Sequence, residues 1–445
     1  MTIMSKKTSL LILIVASFAV HFAFFGQPNE TVFDEVHFGK FVSSYYTGQY
    51  HFDIHPPLGK LIIAGFARVF DFRPEHSFAE IGQPFPDSTY LSLRFLPMLA
   101  GALLPIVIYF LALTLGFSTL SALGAGILIT LENALLTQSR YILLDSFLLL
   151  FGFSGLLFYF QSKSIEAKPL YRGLASILAA SIGFGLAASI KWTGLTFLML
   201  AGLIELISLI KNRAWSLSRL GKLALFFAAI PLAIYFAVFT IHFSLLKQPG
   251  EGDAFMTQGF QQKNIIGKFL ELNWEMYESN ATLTASHPYS SEWYTWPFMT
   301  RTIYYWIHSS ENTPTAERIY LIGNPFIWWT STIAVLYALL SLVSGFKDLK
   351  VSDRTLLILL AGWALNYFPF IAIGRVMFLY HYFTSLIFAI LILAYLIDHM
   401  KRPKKTWLII LAISAVVFIY FAPLSYGLPL EAGSYEQRVW LPSWR

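Results

Sequence analysis

The chain has 445 residues, of which 56% are hydrophobic and only 13% are charged. This balance excludes a soluble globular protein, whose surface needs more charge, and it favours a protein of the lipid bilayer. The absence of cysteine excludes disulfides, thiolate chemistry and Cys-ligated metals. The net charge of +6 requires no nucleic-acid partner, because Lys and Arg in the cytoplasmic loops of a membrane protein produce the same excess.

Apolar segments of membrane-spanning length predict an all-α polytopic protein with about eleven transmembrane helices. The first segment follows Lys6 and Lys7 and has no convincing small-residue cleavage site. We therefore interpret it as a retained span and not as a signal peptide. The segments lie near residues 8–26, 92–115, 118–135, 141–160, 173–190, 194–210, 223–244, 325–344, 354–373, 377–397 and 406–422.

The basic residues predict how the chain is oriented in the membrane. If the N-terminus is cytoplasmic, every loop rich in Lys and Arg falls on the cytoplasmic side, as the positive-inside rule requires. An odd number of spans then places the C-terminal tail, residues 426–445, on the extracytoplasmic side. The loop cations are Lys163, Lys168, Arg172, Lys211, Arg213, Arg219, Lys222, Lys347, Lys350, Arg354, Lys401, Arg402, Lys404 and Lys405.

Two extracytoplasmic loops, residues 27–91 and 245–324, are long enough to hold a site. The predicted organisation is an N-terminal transmembrane catalytic module over residues 1–244, the external loop 245–324, and C-terminal helices with an external tail over 325–445. In the first loop, Asp34 can cap a short helix, and Pro56-Pro57 can start a second over Leu58 to Phe70. Their apolar spacing predicts helices that lie in the membrane interface.

The first candidate for chemistry is the acidic pair Asp34 and Glu35, which lies just outside the first span. A carboxylate at this position could act as a general base. Alternatively, Asp34 caps the helix and Glu35 interacts with the helix dipole. A metal site built from both carboxylates and His37 is a third interpretation, but its spacing matches no familiar ligand pattern. We therefore predict no metal ligand, and dependence on a divalent cation stays open.

The second candidate is a set of cations that could bind a phosphate. Lys60 follows the rigid turn after His55, where it could meet a phosphate or snorkel from an interfacial helix, and His55 could simply pack the turn. Ionisable residues also adjoin the apolar runs, where such groups pair with one another or line a functional cavity. Pairing of Arg140 with Asp145 or Glu132 is the structural alternative. These ionisable residues are Arg94, Glu132, Arg140, Asp145, Lys191 and Arg375, the last followed by Tyr380-His381-Tyr382.

Several stretches form a combination that is more specific than any one of them: residues 33–39 (FDEVHFG), 55–60 (HPPLGK), 241–243 (IHF), 250–253 (GEGD) and 287–291 (HPYSS), with Trp293, Arg375 and His381-Tyr382. Together they resemble the dolichyl- or polyprenyl-phosphate-mannose protein O-mannosyltransferases. The resemblance implies the GT-C glycosyltransferase fold, with an active site outside the membrane. It also implies that Asp34 accepts the proton of a Ser or Thr hydroxyl, which attacks mannose opposite the phosphate and inverts a β-linked donor to an α-mannoside.

The same resemblance suggests roles for the other candidates. Glu35 would support the catalytic site, and a further group would bind the donor phosphate or substrate: Arg94, Lys60, Arg375, His381, Tyr382, His55 and Lys191. Eukaryotic members carry a β-trefoil MIR domain in the loop that here spans only residues 245–324. The chain therefore looks more like bacterial members, which use polyprenyl-phosphate mannose at the plasma membrane. Family members can work as dimers, and their acceptors are secreted or membrane proteins with Ser and Thr.

Two other functions are consistent with the residues. A GT-C transferase could move another sugar, such as aminoarabinose, from a lipid phosphate to a glycolipid, since the acidic pair and the proline turn would serve either reaction. A transporter or flippase for lipid-linked sugars could use the intramembrane charges to line a path. Transporters often show repeated halves with broken helices, whereas this sequence has no repeat and its polar motifs gather on one face.

Overall fold

The computed structural model describes residues 5–163, 170–213, 215–282, 286–309, 313–344 and 353–445. Three of the cations used to predict orientation, Lys168, Lys347 and Lys350, lie outside these ranges. Within them the fold is a bundle of helices with one small sheet. The α-helices are α1 (Lys6–Phe22), α2 (Glu35–Thr47), α3 (Leu58–Ala67), α4 (Tyr90–Thr114), α5 (Thr119–Thr130), α6 (Asn133–Ser139), α7 (Asp145–Lys163), α8 (Leu170–Ile190), α9 (Leu195–Asn212), α10 (Leu217–Ala224), α11 (Ile230–Leu245), α12 (Ile265–Thr282), α13 (Pro325–Ser344), α14 (Arg354–Tyr367), α15 (Phe383–Asp398), α16 (Pro403–Tyr426) and α17 (Ala432–Glu436).

Membrane-spanning helices make up most of this bundle. In the described residues, eight helical stretches are long and apolar enough to cross a membrane, and α5 with α6, bent by 60° at their break, would make a ninth. The other two predicted spans fall on α1 and α7. Helix α1 is short, with 17 residues, and polar residues at both ends of α7 lower its mean hydropathy. The polytopic helical architecture is thus confirmed.

The centre of the bundle is α15, in which every residue from Phe383 to Ile397 is buried. A helix that is apolar all round is stable only when other helices surround it. Helices α7 and α8 pack closely on each other, because Gly155 and Gly183 face each other and a Cβ on Gly183 would lie 2.9 Å from the Gly155 Cα. This close packing brings the start of α7 and the end of α8 together at one end of the bundle.

Residues 27–91, which the sequence predicts to be the first external loop, form the two predicted helices. Helix α2 buries Phe38, Val42 and Tyr45. The second predicted helix is α3, which continues as a 3-10 turn over Arg68–Phe70. Asp34 occupies the N-cap position of α2, but its side chain makes no capping hydrogen bond. The capping interpretation of Asp34 is therefore wrong.

Two glycines let the second external loop approach the first. The N–H of Tyr50 donates to the carbonyl of Gln248, and the N–H of Gly252 donates to the carbonyl of Tyr50. A Cβ on Gly252 would lie 2.4 Å from the carbonyl carbon of His51, and one on Gly250 would lie 2.3 Å from the oxygen of Tyr50. Only glycine permits this backbone contact.

A three-stranded antiparallel sheet lies at the same end as these loops. Its strands are β1 (Ile303–Ser309), β2 (Thr315–Leu321) and β3 (Pro429–Glu431), in the order β1-β2-β3. Tyr304 pairs with Tyr320 and Ala316 with Leu430. The all-α prediction missed this sheet, since β3 comes from the tail and the two other strands lie in a loop. The sheet joins the C-terminal tail to the external loop.

Candidate active site

Asp34 lies in the first external loop, directly before α2. Its carboxylate is half-buried and makes no hydrogen bond or ion pair with any group in the described ranges. Burial raises the pKa of Asp34 to about 7, a rise that Lys191 opposes and that Asp145 and Asp53 increase. A carboxyl group with a pKa near neutrality and free lone pairs can take a proton from a hydroxyl group.

The backbone just before Asp34 is strained. Phe33 has a φ of +47°, a left-handed conformation that is uncommon and costly for a bulky residue. Its ring stacks on Tyr305 of β1 at a centroid distance of 4.0 Å, and its N–H donates to the Tyr305 carbonyl at 3.1 Å. Strand β1 therefore holds Phe33 in this conformation and fixes where Asp34 emerges.

Glu35 has the opposite environment from its neighbour. It is completely buried, and it pairs with Arg94 through Nε at 2.7 Å and Nη2 at 2.6 Å. The backbone N–H groups of Val32 and Ile142 donate to the same carboxylate. Arg94 is also fully buried, and its remaining donors bind the carbonyls of residues 26, 28 and 30. Neither side chain has capacity left for a substrate.

A second buried network lies where α7 meets the end of α8. Lys191 Nζ is 2.8 and 3.0 Å from the two oxygens of Asp145. Gln138 Nε2 donates to Asp145 at 2.6 Å, and the Tyr305 hydroxyl donates to Gln138 Oε1. Tyr305 thus contacts both Phe33 and this network, which ties the position of Asp34 to the Asp145–Lys191 pair.

A cavity of about 480 Å³ opens beside the Asp145–Lys191 pair, a size typical of small-molecule sites. Asp34 does not line it, although its pKa responds to both charges of the pair. Most of the wall is apolar and comes from α7, α9, α12 and residues 365–384. The polar side chains of the lining include His55, Asp145, Lys191, Asn280, Asn366, Arg375, Tyr380 and His381.

Three of the predicted phosphate ligands lie near one another in sequence, but only two reach the cavity. Arg375 lines it and joins no ion pair in the part of the chain that the structure describes. His381 lines it as well, with Nδ1 engaged at 2.9 Å by the Phe378 carbonyl. Tyr382 is 1% exposed, accepts a hydrogen bond from Trp363 and does not line the cavity.

Two of the predicted ligands, His55 and Lys60, flank the proline turn of the first loop, and only His55 reaches the cavity. His55 lines the cavity, and burial holds its pKa well below the usual value, with Lys191 and Lys60 lowering it further. Lys60 is 1% exposed, pairs with Asp53 and donates to the His55 carbonyl at 2.9 Å. Like Arg94, Lys60 is occupied by protein groups and does not line the cavity.

The predicted pairing of Arg140 with Asp145 or Glu132 is wrong. Arg140 donates to the carbonyls of His21, Ala23 and Phe24, because these end the first span without helical partners. Glu132 instead accepts hydrogen bonds from the backbone N–H groups of Leu135 and Asn324. The third interpretation of the acidic pair, a metal site with His37, also has no support. His37 is exposed, and no cluster of three or more ligand side chains occurs among the described residues.

Sequence reasoning missed Gln138 and Tyr305, the two residues that connect Phe33 to Asp145. Gln138 is an amide next to an apolar run, a weak signal of a buried polar contact. Tyr305 is one of 23 tyrosines, and no spacing distinguished it. Their roles depend on the contact of Phe33 with Tyr305 of β1, which local patterns do not reveal.

Two family models together match most of the chain. Residues 11–247 match the model of dolichyl-phosphate-mannose-protein mannosyltransferase, and residues 265–444 match the C-terminal four-transmembrane region of protein-O-mannosyltransferase. The chain belongs to the dolichyl-phosphate-mannose-protein mannosyltransferase family. The family resemblance noted from the motifs is thereby confirmed.

Curated relatives of this mannosyltransferase family match the chain over part of their length. Protein O-mannosyltransferase 1 of Drosophila melanogaster is 36% identical over 264 residues, which are 56% of this chain and 29% of the relative. Dolichyl-phosphate-mannose–protein mannosyltransferase 1 of Saccharomyces cerevisiae is 34% identical over 270 residues, 58% of this chain and 33% of the relative. The chain spans about a third of the length of these relatives.

Solved structures show the same fold. A chain of the S. cerevisiae protein O-mannosyltransferase Pmt1-Pmt2 complex, bound to the sugar donor, superposes with a TM-score of 0.91 at 22% identity, covering 100% of this chain and 93% of that one. ArnT from Cupriavidus metallidurans, bound to undecaprenyl phosphate, gives 0.56 at 16% identity, with 93% and 65% covered. The predicted GT-C fold is confirmed.

Proposed function

We propose that this chain is a protein O-mannosyltransferase that moves mannose from polyprenyl or dolichyl phosphate mannose to Ser or Thr hydroxyls of proteins. The observation that carries the proposal is the unpaired Asp34 carboxyl, whose pKa of about 7 responds to Lys191, together with a cavity to which Lys191 and Arg375 contribute cations. A base and a phosphate-binding cavity are the two parts that this reaction needs. Family membership supports the choice of mannose over aminoarabinose and over transport.

Asp34 would accept the proton of the acceptor hydroxyl as its oxygen bonds to the anomeric carbon. The bond from that carbon to the phosphate oxygen breaks, and the polyprenyl phosphate leaves with the electron pair. Attack opposite the phosphate inverts the configuration. Arg375 is the best candidate for the leaving phosphate, since it is free of ion pairs in the described ranges and guanidinium binds phosphate in a bidentate manner. Lys191 and His381 would assist it, and His55, neutral at physiological pH, would contact the sugar or phosphate.

Glu35, Arg94 and Lys60 would act at a distance from the substrate. Their charged groups are buried and already paired, so we assign them to holding the first loop in place. Tyr382 would support the same end of α15 from within the bundle. For the donor phosphate, Arg94, Lys60 and Tyr382 are thus weaker candidates than the motifs alone suggested.

We further propose that the active site faces the extracytoplasmic side of the membrane, with the N-terminus cytoplasmic. The tail supports this, because Trp444 is 2% exposed and donates to the Met299 carbonyl in the external loop. The start of α1 lies elsewhere, where the Tyr109 hydroxyl donates to the Lys6 carbonyl. The division into residues 1–244, 245–324 and 325–445 stays part of this proposal, as does assembly into a dimer.

The test is a transfer assay with purified protein, labelled polyprenyl-phosphate mannose and a Ser/Thr peptide. We expect labelled peptide with the natural sequence and almost none with Asp34→Asn. Parallel reactions with a polyprenyl-phosphate aminoarabinose donor and a glycolipid acceptor examine the second transferase function. If folded protein leaves the peptide unlabelled, the result would contradict the proposal. A further reaction with chelator tests for a divalent cation.

A further inference from the structure

A second cleft lies between α9 and α14, at the end of the bundle away from Asp34. Its volume is about 500 Å³, and its floor and walls are aliphatic. Several of these side chains are exposed on helices that are long and apolar enough to cross a membrane, including Ile207 at 53% and Leu357 at 44% exposure. The cleft is therefore a groove in the membrane-facing surface of the protein, large enough for part of a lipid chain.

Two cations lie at the mouth of this cleft. Lys211 ends α9 and Arg354 begins α14; both line the cleft and both are exposed. Neither joins an ion pair with any group in the described ranges. Two carboxylates nearby are engaged with other groups. Glu205 pairs with Lys163 and Arg219, and Asp353 accepts hydrogen bonds from the Tyr395 hydroxyl and the Thr355 N–H.

The cations lie at the level expected for lipid head groups. Trp215 and Leu217, which follow α9 closely in sequence, are 57% and 88% exposed, and exposed Trp is typical of the membrane interface. A groove that is apolar along its length and cationic at its interfacial end matches a phospholipid with a net negative head group.

We propose that this cleft binds an anionic phospholipid of the bilayer, with the phosphate on Lys211 and Arg354 and one acyl chain between α9 and α14. The proposal is independent of the transferase function. Hydroxyl and amide groups of Ser208 and Asn212 at the mouth would accommodate a polar head group.

A phospholipid would fit this cleft better than the hydrocarbon tail of a donor bound in the active-site cavity. Thr196 and Asn366 line the cavity, and a hydrogen bond of 2.5 Å between their side chains joins α9 to α14 above the cleft. Lys211 lies roughly 22 Å further along α9 at 1.5 Å per residue. A polyprenyl chain whose phosphate is in the cavity would leave Lys211 and Arg354 without partners.

Native mass spectrometry of the full chain tests the proposal. The protein is released from detergent micelles that contain equal amounts of phosphatidylglycerol and phosphatidylcholine, and the retained lipids are counted. We expect phosphatidylglycerol to be retained about tenfold or more over phosphatidylcholine. Only phosphatidylglycerol has a net negative head group, and hydrogen bonds between charged groups are stronger than those between neutral ones. The double variant Lys211→Gln/Arg354→Gln should bring this ratio close to one.

The matched control is Lys401→Gln/Arg402→Gln, which removes two exposed cations from the same end of the bundle but not from the cleft. It should retain phosphatidylglycerol like the natural sequence. An equal loss in the control would mean diffuse surface attraction and would overturn the site, as would equal retention of the two lipids by the natural protein.

A third variant, Ala361→Trp, fills the cleft without changing charge. Ala361 lines the cleft, so the substitution should abolish retention of phosphatidylglycerol, and its unfolding temperature in lipid-free detergent verifies folding. Unchanged retention would contradict an acyl chain in the cleft. A higher KM for the polyprenyl donor together with unchanged retention would instead assign the cleft to the donor tail.

Discussion

Arg94 donates two parallel hydrogen bonds to the carboxylate of Glu35, and neither side chain is exposed to solvent. Because Glu35 also accepts the N–H groups of Val32 and Ile142, this one carboxylate joins the loop before α2 to α4 and to the segment before α7. Asp34, one residue earlier, is thereby held in place while its own carboxylate stays unpaired.

Breaking this ion pair should destabilise the fold. Arg94→Gln removes the cation that pairs with the buried Glu35 side chain, for which the expected cost is about 3–5 kcal/mol. The unfolding temperature in detergent should fall clearly. The double variant Arg94→Gln/Glu35→Gln should be less destabilised than the sum of the single variants, since it also replaces the carboxyl group left without its partner.

Arg375→Gln is the matched control for the Arg94 variant. It removes another guanidinium at the same end of the bundle, but one without an ion pair in the described residues. Its unfolding temperature should remain within about a degree or two of the natural protein, as for other substitutions that break no contact. Equal destabilisation by the two variants would contradict a special structural role for the Glu35–Arg94 pair.

Replacing the proposed base should abolish transfer without unfolding the protein. We expect Asp34→Asn to lower kcat by about 10²–10⁴-fold, the usual contribution of a general base, while donor binding persists. The control Asp71→Asn changes an exposed carboxyl in the same loop at a position with φ of +54°, which Asn tolerates well. It should keep near-natural activity.

Above neutral pH, Asp34→Asn should be more stable than the natural sequence. Folding raises the pKa of Asp34 from 3.8 to about 7, so the folded state holds a proton between these values that the unfolded state releases. Stability therefore falls as pH rises through this window and is lowest above it. At pH 8, Asp34→Asn should unfold at a higher temperature than the natural sequence, and a lower temperature would contradict the unpaired environment of Asp34.

Activity should depend on pH in the opposite sense. A general base must be deprotonated, so kcat/KM should rise with pH through about 7, the pKa of Asp34, and level off above it. The measurement is initial rate against pH at low donor concentration. An activity that is already maximal at pH 5 would exclude Asp34 as the titrating base.

Arg375 should determine affinity for the donor. Losing a charge-assisted hydrogen bond to phosphate costs about 1.5–3 kcal/mol, which corresponds to a rise of roughly 10–150-fold in KM for the polyprenyl-phosphate sugar. Lys247→Gln, which removes an exposed cation of the external loop outside the cavity lining, should leave KM unchanged. A KM unaffected by Arg375→Gln would move the phosphate site elsewhere.

The contact between the two external loops should tolerate no side chain at Gly252. Gly252→Ala places a Cβ 2.4 Å from the His51 backbone, so the loops must separate. We expect the free energy of unfolding to fall by about 1–3 kcal/mol. Gly65→Ala in α3 meets nothing within 4 Å and should be neutral or slightly stabilising. Unfolding temperatures of the two variants compare the positions directly.

Hydropathy and periodicity predicted most of the fold, because membrane helices and the two loop helices are determined by local patterns. The sheet was not predictable in this way, since β3 pairs with a strand more than a hundred residues earlier. The positions of Asp145 and Lys191 also required the packing of α7 on α8. Their charges stood out in the sequence, but their mutual pairing did not.

The candidate base could be selected from the sequence, whereas the roles of its neighbours could not. Asp34 and Glu35 are adjacent and chemically alike, and only the fold shows that one carboxylate is saturated with donors and the other is not. Arg94 and Arg375 likewise look equivalent as cations next to apolar runs. Burial and pairing, which depend on distant residues, separate them.

The contrast between the two carboxyls also makes Asp34 a target for selective covalent labelling. Diazo reagents esterify carboxylic acids in their protonated form, and near pH 7 a substantial fraction of Asp34 carries its proton. Glu35 is inaccessible, because it is completely buried and paired with Arg94. A small diazo compound with a lipid-like tail could therefore tag one acidic residue of a conspicuous adjacent pair, which would provide an irreversible probe for occupancy of this site in intact membranes.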